Sequence, residues 1–195
     1  MENQAYLDIR NVSKTFPGVK ALRNVSVQAF RGEVLGLVGI NGAGKSTLMN
    51  ALSGVIGIDE GEIRVNGATV HIRTPADAEK HGIATIHQES IAFRYMSVAE
   101  NLYINQLHQF VKLGKLSYRA MTARARKDLS AVGCNIDPSA PFSEITIGQR
   151  QMVEIARALN AGSDIVLFDE PTSSLTTPEK EILFTLIRRL KEQGK

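Results

Sequence analysis

The segment Gly39-Ile40-Asn41-Gly42-Ala43-Gly44-Lys45-Ser46 constrains the chain most. It matches G-x-x-x-x-G-K-[ST], and it falls between an apolar run, Val34-Leu35-Gly36-Leu37-Val38, and a segment with helical spacing, Lys45 to Leu52. Glycines let the backbone curl so that successive N–H groups face a phosphate, and a helix N-terminus adds positive potential. Lys45 would supply a full charge to the β and γ oxygens, and the Ser46 hydroxyl would face Mg²⁺. With glycine usage near 7%, chance gives this pattern in a chain this long at roughly the 1% level. The strand–loop–helix setting makes accident rarer still.

A second cluster lies downstream. Ile165-Val166-Leu167-Phe168 reads as a buried strand that ends in Asp169-Glu170. In open α/β sheets the C-terminal ends of strands face the ligand crevice. Asp169 would therefore hold Mg²⁺ through water, and Glu170 would polarise an attacking water. An acidic strand-end turn before Pro171 is the bland reading of the pair in isolation; the upstream loop argues for chemistry.

Composition narrows the remaining classes. The 195 residues are 43% hydrophobic and 22% charged, the make-up of a folded domain rather than a disordered chain. A net charge of +3 is too weak to argue for nucleic acid. The single Cys134 excludes a disulfide framework and a cysteine-based zinc site, and suits a reducing compartment. The N-terminus has no basic and apolar leader, and no apolar run approaches the roughly 18–20 residues of a membrane span. A soluble protein is expected, one that would serve a membrane only as a docked partner.

Along the chain, Tyr6–Ile9 and Val25–Val27 read as short strands around the turn Phe16-Pro17-Gly18. Gly61–Val65, Asn66-Gly67 and Ala68–Ile72 form a hairpin pattern. Thr74 and Pro75 open a helix that Gly82 ends, and Ile83–Ile86 is a further strand. Helices are expected from Ser97, over Tyr118–Val132, over Gly148–Leu159 and over Pro178–Lys191. Six basic residues and no acid lie between Lys112 and Lys127. They read either as a solvated helix face or as a docking surface for a protein or anionic headgroups.

Several phosphate-loop classes share the two motifs. No N-K-x-D string reads guanine, and no acceptor site or arginine-rich lid marks a small-molecule kinase. The discriminator is Glu144-Ile145-Thr146-Ile147-Gly148-Gln149-Arg150-Gln151, which leads into Met152–Leu159 ahead of the acidic strand. It resembles the signature segment of ABC-type ATPases, Leu-Ser-Gly-Gly-Gln followed by an Ala-Arg-Ala-Leu-like helix. Its five positions are here Ile145, Thr146, Ile147, Gly148 and Gln149. Thr146 keeps the hydroxyl, and Ile147 replaces the first glycine. Such a helix end, with a hydroxyl and a bare glycine, lets a γ-phosphate approach closely.

The resemblance covers essentially the whole chain, and it implies further roles. Phe16 stands where an aromatic stacks on adenine; Gly39, Asn41, Gly42, Ala43, Gly44, Lys45, Ser46 and Thr47 stand where the family holds ATP. Gln88 stands where a glutamine touches Mg²⁺ and senses the transporter, so that Ser46, Gln88 and Asp169 would form the metal side. Ser173-Ser174-Leu175-Thr176 occupies the loop that crosses to the opposite subunit, with Thr176 in place of the usual Asp. The wording of 82–89, the Ile-Gly-Gln variant and the Ser-Leu-Thr loop are similar to importers of ribose, galactose, xylose and other simple sugars. The implied fold is α/β: a P-loop core with an N-terminal antiparallel β subdomain and a helical subdomain inserted near residues 90–160.

The family's switch histidine would follow the last helix, whereas histidines 71, 81, 87 and 108 all lie upstream of Asp169. The chain is therefore expected to be a C-terminally incomplete first half of a fused two-domain ATPase, with little turnover on its own. The implied partners are transmembrane permease subunits, a second nucleotide-binding domain and, indirectly, a sugar-binding protein, at the cytoplasmic face of the inner membrane and without nucleic acid. A nucleoside importer with the same engine, or a soluble ABC ATPase acting on ribosomes or DNA, are the alternatives.

Overall fold

Alternation of apolar and polar residues builds an N-terminal sheet longer than the sequence suggests. The computed structural model describes residues 4–86, 93–112, 114–172 and 175–195. In it, β1 (Leu7–Phe16) and β2 (Val19–Ala29) are full-length antiparallel strands in place of two short ones. Bulges conceal their length in the sequence. Asn11 and Asn24, both at φ 51°, sit where the β1–β2 register shifts, and each shift breaks the simple period of two. The Ser26 hydroxyl accepts from the Asn11 amide at 2.9 Å and holds one of these kinks.

After β2 the structure departs from the sequence reading. Val34–Val38, expected as a buried strand, forms no strand, and Val34, Leu35, Leu37 and Val38 are all exposed, Val38 at 94%. A parallel strand is held by hydrogen-bonded neighbours and by cover on both faces. This run has no strand paired with it among the described residues, so its apolar composition alone does not fix it. The helix that follows, α1 (Lys45–Leu52), forms as expected and buries Leu48, Ala51 and Leu52.

β3 (Glu60–Val65) and β4 (Ala68–Val70) complete a four-stranded antiparallel sheet in the order β2-β1-β3-β4. Asn66 and Gly67 both take positive φ, 51° and 79°, which is what a two-residue hairpin turn of the primed type demands. The return strand is shorter than Ala68–Ile72, but Ile72 is still buried. Next, α2 (Pro75–Lys80) starts in a full capping box between Thr74 and Asp77. β5 (Ile83–Ile86) follows and pairs with a strand from much later in the chain, β8 (Ile165–Phe168).

These elements belong to one compact unit, residues 1–85, 163–169 and 187–195. Its core joins Leu7, Ile9 and Val12 of β1 to Leu22, Leu48, Leu52, Ile63, Ile83 and Leu167. Asp164 is its polar node. The carboxylate accepts from the Tyr6 hydroxyl at 2.9 Å and from the Lys195 ammonium at 2.8 Å, and Arg31 lies at 3.5 Å. The Lys195 hydrogen bond first, then that of Tyr6, holds the Asp164 carboxyl below the usual carboxylate range. A depressed folded pKa gives stability that is complete above the unfolded pKa and is lost as pH falls through the folded one. Asp164→Asn should therefore cost about 1–2 kcal/mol at neutral pH. Urea melts should show the gap between mutant and parent narrowing below about pH 4.

The second unit, residues 86–162 and 170–186, is mainly helical. It opens on the short α3 (Val98–Leu102), whose Ser97–Glu100 capping box satisfies its first turn. Asn101 is buried, and its amide bonds the Phe93, Met96 and Ser97 carbonyls while its oxygen accepts from the Phe93 N–H. It fixes the approach to α3 from within. A 3₁₀ segment over Ile104–Phe110, broken at Gln106, leads to a small hairpin, β6 (Val111–Lys112) and β7 (Lys115–Leu116). None of these was legible in the sequence.

α4 (Tyr118–Ala131) and α5 (Ile147–Asn160) pack with α3 around Leu102, Met121, Leu129, Phe142 and Ile155, all nearly inaccessible. Part of the basic run has an internal partner. Arg124 bonds Asp128 at 3.1 Å, and Asp128 also accepts from the buried Tyr103 hydroxyl at 2.7 Å. Cys134 is buried, and desolvation pushes its thiol up to about 11, so it is an inert core residue. The last helix, α6 (Thr177–Glu192), begins in this unit and ends in the first.

Candidate functional site

The loop of residues 39–44 has the backbone that its glycines allow. Gly42 and Gly44 take φ of 80° and 88°, and Gly44 stands as N-cap of α1. A Cβ on Gly44 would lie 2.5 Å from the Ala21 carbonyl oxygen, so only glycine fits both the dihedral and the space. Gly44 offers α1 no side-chain cap, and no acidic residue lies in the first turn of the helix. Among the described residues, neither a side-chain cap nor a first-turn carboxylate answers its N–H groups at the positive end of the helix. Lys45 folds back over the loop, its ammonium donating to the Gly39 and Ile40 carbonyls at 2.7 and 2.9 Å. The result is a curled backbone with a lysine at its mouth, which suits an anion with several oxygens.

The other expected residues of this unit are placed as follows. Phe16 ends β1 beside the Pro17-Gly18 turn, 38% exposed, with the Lys14 ammonium 5.7 Å from its ring centre. Asn41 and Ala43 lie on the exposed loop, and Ser46 and Thr47 in the first turn of α1. Asp169 follows directly on β8. No group of three or more histidine, cysteine or acidic side chains gathers among the described residues. Mg²⁺ needs no such cage, because it keeps several waters and takes one or two carboxylates plus substrate phosphates. Gln88 lies outside the described residues, as do Ser173 and Ser174.

In the helical unit, Glu170 is exposed and takes φ 44°, a left-handed conformation that side chains adopt at a cost. Gln151 donates to the Pro171 carbonyl at 3.0 Å and anchors the turn just after it. Thr146 is the N-cap of α5 and shares a capping box with Gln149: the Thr146 hydroxyl accepts from the Gln149 N–H, and the Gln149 side chain accepts from the Thr146 N–H at 2.9 Å. Ile145 is buried, whereas Ile147 is 56% exposed at the helix mouth. Gly148 is buried, and a Cβ there would fall on the carboxylate of Glu179. The sequence reading missed Glu179. Its one local signal is the Thr176-x-x-Glu179 spacing of a capping box.

These features define a class before any particular family. A solved ATP-binding cassette of an ABC transporter, in its ADP conformation, superposes with a TM-score of 0.84 at 28% identity, over 98% of this chain and 78% of that one. The architecture is that of an ATP-binding cassette. The chain belongs to the ABC transporter family, which it matches over residues 22–173. Among curated proteins it is similar to the arabinose import ATP-binding protein AraG of Vibrio parahaemolyticus, at 47% identity over its whole length. It is also similar to the ribose import ATP-binding protein RbsA of Clostridium perfringens, at 42% identity over 99% of the chain. The chain spans about 38% of the length of each of these relatives.

The P-loop α/β architecture expected from the sequence is thus the observed one, apart from the strand before the loop. Among the described residues no helix is long and apolar enough to cross a membrane.

Proposed function

We propose that this chain is a nucleotide-binding domain of an ATPase that powers import of a simple sugar. The observation that carries it is the uncapped start of α1 behind a glycine loop, with Lys45 held across that loop. Gly39 to Thr47 would cradle the phosphates of ATP, and Phe16 would stack on the base. Ser46 and Asp169, with Gln88, would hold Mg²⁺, which supplies charge neutralisation to the phosphates when bound. Glu170 would take the proton of the attacking water. Ile145 to Gln149, at the mouth of α5, would face the nucleotide of a second such domain.

The names of the arabinose and ribose import relatives support a sugar importer over a nucleoside importer or a soluble ribosome- or DNA-acting ATPase. The partners would be permease subunits, a second nucleotide-binding domain and, through them, a sugar-binding protein. The domain, with residues 90–160 as its helical subdomain, would sit at the cytoplasmic face of the inner membrane. Purifying the full-length protein from membranes tests this. Permease subunits should come with it, and sugar-loaded binding protein should raise ATP turnover. Recovery with ribosomes or DNA and never with a permease would overturn the transport reading.

A further inference from the structure

The mouth of α5 already holds an anion, and that anion belongs to the same chain. One oxygen of Glu179 accepts from the N–H and hydroxyl of Thr176, at 2.9 and 2.8 Å, where it serves the start of α6. The other oxygen accepts from the Thr146 hydroxyl at 3.1 Å, and the Gly148 N–H also donates to the carboxylate. The bare face of Gly148 is filled by this same group. Glu179 thus joins the first turns of two helices whose partners lie 33 residues apart. Helix capping does not require the second half of this contact, because α5 has its own box in Thr146 and Gln149.

We propose that Glu179 is an internal stand-in for phosphate at the signature segment, an autoinhibitory contact that an incoming γ-phosphate displaces. The proposal rests on the reading that this helix end receives the nucleotide of a second domain. The Thr146 hydroxyl has one hydrogen to donate and the Gly148 amide has one, so phosphate and carboxylate cannot both take them. Two anions at hydrogen-bond separation also repel. Glu179 must swing off Gly148 before a nucleotide can seat there, and its other oxygen keeps the link to Thr176. The population of the competent state sets the apparent affinity, in proportion to the fraction of domains with Glu179 turned away.

The test uses the full-length protein and reads KM for ATP separately from kcat. Glu179→Gln keeps the shape and a cap for Thr176 but removes the competing charge. KM should fall about threefold to tenfold with kcat within about twofold. Glu179→Asp keeps the charge and caps α6 with a side chain one methylene shorter, which draws it back from Gly148. It should lower KM in the same direction, whereas a purely structural cap would make Glu179→Asp behave as the parent. Should Glu179→Gln fail to fold, Glu179→Asp alone carries the comparison. An unmoved or raised KM, or a loss confined to kcat, overturns the displacement alone. A parent protein that binds no ATP overturns the proposed function and the displacement with it.

Discussion

Lys45→Ala lowers affinity for Mg-ATP by roughly a hundredfold in a calorimetric titration. The estimate follows from losing about two charge-assisted hydrogen bonds to phosphate oxygens, each about 1.5–3 kcal/mol, partly offset by water. The structure adds a second source of loss. The ammonium bridges the Gly39 and Ile40 carbonyls at 2.7 and 2.9 Å, so its removal also frees the loop. Lys45→Arg separates the two. It keeps the charge but replaces a compact ammonium with a planar fork, and should restore only part of the affinity. Unchanged affinity in Lys45→Ala would remove the phosphate loop from the site.

Glu170→Gln should leave ATP affinity nearly intact and slow turnover of the full-length protein at least about a hundredfold, the range of general-base loss. Normal turnover in this variant would reduce Glu170 to a strand-end carboxylate. Its φ of 44° gives a companion experiment. Glycine adopts that conformation freely, so Glu170→Gly should keep the backbone of the turn and be equally inactive.

Local rules explain which parts of this molecule the sequence discloses. Helix starts are written in three or four adjacent residues, so Thr74, Ser97 and Thr146 mark α2, α3 and α5 nearly to the residue. Asn66-Gly67 announces its hairpin in two. The loop of residues 39–46 and the acidic pair are read as strings for the same reason. Val34–Val38 fails because a strand is a relation between segments, and apolar composition does not say whether a neighbour is present to pair with it. β1 and β2 are too short in the sequence reading because bulges at Asn11 and Asn24 interrupt their alternation. Glu179 escapes notice because its meaning lies 33 residues away, at Thr146.

The Asp164 node has a bearing on how the chain is made. Tyr6 lies 158 positions before Asp164 and Lys195 lies 31 after it, so the node cannot form until Lys195 has left the ribosome. The four-stranded sheet is complete by Val70 and can form while the rest is still being translated. β5, in contrast, must wait for β8, and between the two the ribosome delivers nearly the whole helical unit. Nascent chains should therefore carry a finished sheet and a finished helical bundle before the unit that contains the phosphate loop can close.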